Sequence, residues 1–262
     1  MKLTERLRSD YRRLFDTCII RENRVAEVEA VTGSIVSNLA RYQQVADVIE
    51  MPWFVIAVIH LMEASLRFDR HLHNGDPLTE RTTHVPSGRP LTGSAPFTWE
   101  ESAMDALRLE RMDRWSDWSV PGTLYKLEGY NGWGYRKYHP EVLSPYLWSY
   151  SNHYTRGKYV ADGTFSNTAV SRQMGAAVVL RRMAEKNLAV FDPEPDASPT
   201  ENRVPLLRYA PSEKSAQARA LQEFLNTFPG IYVKVDGYAG DKTSDAFKRA
   251  TGYYLHGDAR SD

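Results

Sequence analysis

Charged and apolar positions alternate at helical spacing from Thr4 to Asn23, which predicts an amphipathic helix. A second helical region is predicted over Arg24–Glu50, broken near Thr32-Gly33. Pro52 suits a first helical turn. From Trp53 to Leu72 the apolar residues run nearly all round the predicted helix, the pattern of a buried element. Asn74-Gly75-Asp76-Pro77 ends it in a turn-rich segment. β-Branched residues beside Ser87-Gly88 predict a short β-hairpin within Thr82–Pro90, and Gly93–Phe97 reads as loop. Thr98 is placed to cap a helix over Trp99–Met112, with Glu101 completing a capping box. Val120–Gly129 is a further predicted helix, Tyr130–Asn152 is aromatic and loop-like, and Ser166–Lys186 is again helical. Gly175-Ala176-Ala177 in that last helix permits close packing.

Beyond Phe191 the texture changes. Pro193, Pro195, Pro199, Pro205 and Pro211 stand among acidic and polar residues, the composition of a stiffened linker. The expected organisation is a domain over 1–190, a linker over 191–210 and a small domain over 211–262. In the last, apolar residues at 218, 221, 224, 225 and 228 share one face of a helix predicted over Ser215–Phe228, which Pro229-Gly230 stops. Asp236-Gly237 signals a turn, and Gly240 a backbone conformation that a side chain would oppose. Asp241 or Thr243 is placed to cap a following helix with Ala246 and Phe247 inward.

Composition narrows the function classes. The 262 residues suit one large and one small domain. With 33 basic and 33 acidic residues the chain is neutral, so nothing argues for a nucleic-acid partner. Cys18 is the only cysteine and excludes an intramolecular disulfide. Phe54–Ile59, the most apolar run, is too short to span a membrane. No apolar segment follows the charged start, so synthesis in the cytoplasm without a signal peptide and without membrane insertion is expected. A monomer is expected. No Walker loop or dinucleotide fingerprint is present, and no cofactor is expected.

Glu63 is the candidate acid. Ile59, Leu61, Met62 and Leu66 surround it in sequence, and a carboxyl in apolar surroundings is costly to ionise and stays protonated near neutral pH. A purely structural pairing with His60 or Arg67, one turn away, explains the residue equally well. Hydrolysis needs a second group to position water. Asp76 and Thr82 follow the Glu63 helix and are the candidates, although Asp76 beside Pro77 also reads as a turn residue. Trp133, Tyr135, Tyr138, Tyr146, Trp148, Tyr150 and Tyr154 form a dense aromatic stretch, suited to sugar faces but more often core. His60, His71, His73 and His84 lack the two-histidine helical spacing of a zinc site, and no metal is expected.

Two resemblances add to this reading. Leu221-Gln222 in its helix, followed by Asp236-Gly237, Gly240, Thr243 and Ala246-Phe247, resembles the three-helix peptidoglycan-binding module of many cell-wall hydrolases, over roughly Pro211–His256. Glu63-Ala64-Ser65 on a helix, then Gly129-Tyr130-Asn131-Gly132, resembles the lysozyme superfamily, including goose-type lysozymes and lytic transglycosylases. Here an extra residue separates Glu63 from Ser65, and Gly132 follows Asn131 directly. The order of Asp76 and Thr82 is similar to that in phage-type lysozymes. The resemblances imply a mainly α protein: a lysozyme-like helical domain with a small β-hairpin, then a three-helix wall-binding domain. They imply cleavage between N-acetylmuramic acid and N-acetylglucosamine, with Glu63, Asp76 and Thr82 catalytic. Ser65, Tyr130, Asn131, Asp236, Gly237, Gly240 and Thr243 would contact peptidoglycan, the expected partner. An endolysin released through a phage holin fits, as does a secreted effector. Alternatives are a lytic transglycosylase acting on the same bond, a zinc amidase or peptidase, and a non-catalytic wall-binding phage protein.

Overall fold

The computed structural model describes residues 1–194 and 207–260. The chain divides into two compact units, Met1–Ala197 and Ser198–Asp262. Residues 195–206, most of the predicted linker, lie outside the described residues.

Among the described residues of the first unit, helices and irregular segments are joined by one β-hairpin. In order it contains α1 (Glu5–Asp16), α2 (Val25–Ser37), α3 (Leu39–Ile49), α4 (Trp53–Ala64), α5 (Trp99–Leu109), α6 (Val120–Asn131), α7 (Gly134–Tyr138), α8 (Pro145–Trp148), β1 (Lys158–Ala161), β2 (Thr164–Ser166) and α9 (Ala176–Glu185). The all-round apolar pattern of α4 makes it the centre. Val55 to Ile59 are fully buried, and α3 and α9 pack against it. Among the described residues no single helix is long and apolar enough to cross a membrane; α3 and α4 are bent by 112° at their junction.

Several boundaries differ from the sequence expectation. α4 stops at Ala64 rather than Leu72, because the apolar run ends there. Ser65 and Leu66 turn into the left-handed region, and their N–H groups close on Leu61 and His60 carbonyls. α1 ends at Asp16, and the chain then runs to Ile20, which bridges to Ser151. The α2–α3 break falls at Asn38, whose amide donates to the Ser34 carbonyl; Gly33 is accommodated within α2. Thr82–Pro90 forms no strand. Pro86 and Pro90 offer no ladder donors, and Thr82 instead pins an irregular loop. The hairpin lies at β1–β2, pairing Lys158 with Ser166 and Tyr159 with Phe165. The aromatic stretch contains two short helices, α7 and α8. α9 starts only at Ala176, after Gly175 passes so close to α8 that a β-carbon would meet the Leu147 carbonyl oxygen at 2.3 Å. The unit also reaches past residue 190: Phe191 packs edge-on against Phe15 and Phe54.

The second unit contains β3 (Ala210–Lys214), α10 (Ala216–Leu225), β4 (Tyr238–Ala239) and α11 (Asp241–Thr251). β3 and β4 pair antiparallel. The described residues of this unit thus form two helices and a small sheet, where three helices were expected. Leu225, Ile231, Val233 and Ala246 form one apolar cluster; Ala218, Ala239 and Leu255 form another. Between the two helices lies the Gln222 side chain, only 1% exposed. Its Oε1 accepts from the Asp236 and Gly237 amides, and its Nε2 donates to Asp236 Oδ1, the Tyr238 carbonyl and Thr243 Oγ1.

Candidate active site

Glu63 occupies the last turn of α4. Its carboxyl keeps a partial opening to solvent, but most of its surroundings are protein. Burial raises its pKa, and the negative charge of Glu110 adds to that effect. Opposing both, the Tyr146 hydroxyl on α8 donates to Glu63 Oε1 at 3.0 Å. Neither residue of the expected helical pairing is its partner. His60 faces Tyr42, with Nδ1 3.0 Å from the hydroxyl, and burial takes its pKa down to about 4. Arg67 pairs with Asp69. Among the described residues no basic side chain forms an ion pair with Glu63, so a proton is the remaining means of neutralising it.

A cleft of about 480 Å³ lies on the far side of Tyr146, which lines it; Glu63 is not among its lining residues. Asn131, Tyr138, Tyr146, Lys158, Tyr159 and Gln173 contribute to its walls. Two of them tie it to the acid: Tyr146 bonds Glu63 itself, and Gln173 Nε2 donates to the Met62 carbonyl at 2.7 Å. The β1–β2 hairpin forms one wall. It is fixed to α7 by the Tyr159 amide, which donates to the Tyr135 hydroxyl, and by His139 stacked on Phe165 at 3.5 Å.

Tyr130 and Asn131 end α6 and open onto different spaces. Asn131 lines the cleft, whereas Tyr130 lines a separate recess of about 190 Å³ with Glu110, Lys126 and Trp133. Burial, reinforced by the charges of Glu63 and Glu110, drives the Tyr130 phenol far above its ordinary pKa. Gly132 follows with φ +95°, a conformation that glycine tolerates and that turns the chain from α6 into α7. Ser65 is exposed at the left-handed end of α4.

Asp76 and Thr82 belong to one loop. Gly75 brings that loop against α4, where a β-carbon would lie 3.8 Å from the Glu63 carbonyl oxygen. Asp76 Oδ2 accepts from the Thr83 and His84 amides and from Asn74, while Oδ1 accepts from His84 Nδ1 at 2.6 Å. Burial alone would raise its pKa, but these donors override it and hold the carboxyl far below the usual range. The Thr82 hydroxyl donates to the Pro86 carbonyl at 2.5 Å and accepts from the Arg89 amide at 2.9 Å. Their polar atoms hold the loop together, and neither side chain hydrogen-bonds to Glu63.

Sequence reasoning missed Gln173 and Glu110, and named Tyr146 only as one of seven clustered aromatics. Most of the cluster belongs to the core. Tyr135, Tyr146, Trp148, Tyr150 and Tyr154 are buried, whereas Tyr138 is 71% exposed at the cleft.

In the second unit Asp236, Gly237 and Thr243 surround Gln222 rather than a free surface. Gly237 takes φ +83°, as its turn requires. Gly240 is extended, at φ −92°, and precedes α11 as its cap. Neither Asp241 nor Thr243 caps: Asp241 accepts from the Tyr209 hydroxyl, and Thr243 donates to the Tyr238 carbonyl. Comparison with protein-family models, curated proteins and solved structures finds no match to this chain.

Proposed function

We propose that this protein is a peptidoglycan glycosidase of the muramidase type, with Glu63 as its general acid. The observation that carries the reading is a largely enclosed carboxyl that has no ion-pair partner among the described residues and is bonded by Tyr146, which lines an aromatic-walled cleft. A carboxyl whose pKa is raised holds its proton to higher pH than a free one and can give it to a glycosidic oxygen as the bond to the anomeric carbon breaks. Tyr138 and Tyr159 offer ring faces to the apolar side of a sugar, and Asn131 and Gln173 offer amides to its hydroxyl and acetamido groups. The second unit serves as the wall anchor, raising the local concentration of the first at its substrate. The site of action is then the cell wall, reached by release through the membrane.

A lytic transglycosylase is the second reading. It needs one carboxylate and no water-positioning partner, and the engagement of Asp76 and Thr82 within their own loop favours it. Mass spectrometry of muropeptides released from purified peptidoglycan tests both. Glycan cleavage that disappears in Glu63→Gln supports the common reading. Anhydro products, lighter by one water, select the transglycosylase. Unchanged cleavage by Glu63→Gln removes Glu63 from the chemistry.

A further inference from the structure

We propose that the cleft beyond Tyr146 is a subsite for a peptide-substituted sugar, and that Lys158 sets its specificity by pairing with a carboxylate of that peptide. The inference rests on the glycosidase reading above and names the part of the wall polymer that this cleft takes.

Glu63 does not line the cleft, so the cleft receives a portion of the substrate that flanks the reacting bond. The β1–β2 hairpin supplies one wall. Lys158 opens β1, and Asp162-Gly163 make the turn, with Gly163 at φ +67°. Strict alternation puts Lys158 and Tyr159 on opposite faces of a strand, yet both line the cleft, as do Ala161 and Asp162. The cleft therefore runs along the edge of β1 rather than across one face of the hairpin. At that edge the Tyr159 amide donates to the Tyr135 hydroxyl, which fixes the wall to α7.

Charge decides the ligand class. Of the residues lining the cleft, Lys158 is the cation and Asp162 the anion. Lys158 is half-buried at the base of the hairpin, and Asp162 is exposed at its tip. Four residue steps, ~13 Å of extended strand, separate them. Among the described residues neither side chain forms an ion pair or a hydrogen bond, so the ammonium is free to meet a ligand.

An uncharged glycan offers that ammonium only hydroxyl and acetamido oxygens. The wall polymer also carries peptides, on the lactyl groups of alternate sugars, and those peptides bear carboxylates. A carboxylate on Lys158 makes a charge-assisted hydrogen bond, the stronger for the water that the ligand displaces. Asp162 opposes a second negative charge farther along the wall, so the cleft suits a single carboxylate on a neutral body rather than a polyanion. The neutral body has its own partners: Asn131 and Gln173 offer amides to peptide and acetamido groups, and Tyr138 and Tyr159 offer rings to the sugar. At about 480 Å³ the cleft has the size of a small-ligand site, enough for one substituted sugar and not for a length of polymer.

The test is calorimetry on the full chain with three compounds: an N-acetylmuramoyl dipeptide with free carboxyls, the same compound with its carboxyls amidated, and N-acetylglucosamine. None contains a glycosidic bond, so binding is read apart from cleavage. Thermal melts confirm that Lys158→Met and Lys158→Arg fold. The free-carboxyl compound is expected to bind wild type more tightly than the other two. Lys158→Met should weaken it about tenfold or more, the size of one hydrogen bond to a charged group, and Lys158→Arg should keep most of the affinity. Amidation should weaken binding to wild type by a similar factor and have no further effect on Lys158→Met, as for two halves of one contact. Amide hydrogen exchange should slow over 157–166 in the complex. Equal affinity of wild type for the free and amidated compounds overturns the proposal. So does undiminished binding by Lys158→Met, protection confined to 207–260, or no binding of the free-carboxyl compound by wild type. Cleavage of purified peptidoglycan is measured in parallel. Any of those results with Glu63-dependent cleavage intact leaves the glycosidase reading standing. Lys158-dependent binding without cleavage supports the subsite and overturns the glycosidase reading alone.

Discussion

Gln222→Ala deletes the side chain around which the second unit is arranged. Five hydrogen bonds disappear, with donor–acceptor distances from 2.8 to 3.0 Å. They are unequal. Thr243 keeps a partner, because its hydroxyl also donates to the Tyr238 carbonyl. Asp236 Oδ1 still accepts from the Tyr238 amide. The Asp236 amide still donates to the Lys234 carbonyl at 3.1 Å, whereas the Gly237 amide loses the acceptor that Gln222 supplies. An unsatisfied buried donor such as the Gly237 amide costs about 1–3 kcal/mol. The space vacated by the side chain adds to this unless the two helices collapse onto it. The sum is roughly 2–5 kcal/mol, comparable with the roughly 3–5 kcal/mol that a single core of this size supplies. Gln222→Ala is therefore expected to unfold the second unit largely or completely. All six tryptophans lie between residues 53 and 148, so their fluorescence follows the first unit and should melt as in the wild type. Amide hydrogen exchange over 207–260 should lose its protection, and sedimentation with purified sacculi should be lost with it. Protection of α10 and α11 within about 0.5 kcal/mol of wild type, the usual size of a neutral surface change, would refute the claim that Gln222 organises the unit.

Three further outcomes follow from the first unit. Glu63→Gln should lower activity by ~10²-fold or more and flatten the pH dependence of stability. Because the folded-state pKa is raised, Glu63 erodes stability as pH climbs from the unfolded carboxyl value, about 4.3, through the folded one. The glutamine variant should match or exceed wild-type melting temperature above that range; lower stability at every pH would contradict the burial argument. Tyr146→Phe removes a donor that favours the ionised carboxylate, by about 1 kcal/mol, so the basic limb of the pH–activity profile should move to higher pH, and a downward move would count against the contact. Asp76→Asn should loosen residues 74–89. Its folded-state pKa is depressed, so the stability it contributes is present above about pH 4 and declines as pH falls towards the folded value. Faster exchange in that loop at neutral pH is expected, and unchanged exchange would show that the carboxylate does not hold it.

Local patterns in the sequence already contained much of this molecule. The apolar residues all round Trp53–Leu72 predicted a buried helix, and α4 forms it as far as Ala64. Thr98 and Glu101 specified a capping box, which both side chains form. Glu63 stood out because a carboxyl in that run needs a reason. The pattern Gln222, Asp236-Gly237 and Thr243 was equally visible. Its meaning was not, because those residues meet around one side chain only after α10 and the turn before α11 come together. The partners of Glu63 were hidden for the same reason. Tyr146 is 83 positions away along the chain, and Gln173 lies 111 positions from the carbonyl it holds. Periodicity and capping are written within a few turns of chain, where the backbone repeat fixes which side chains are neighbours. Neither repeat extends from α4 to α8, and which side chains face one another there was decided by packing of the whole unit.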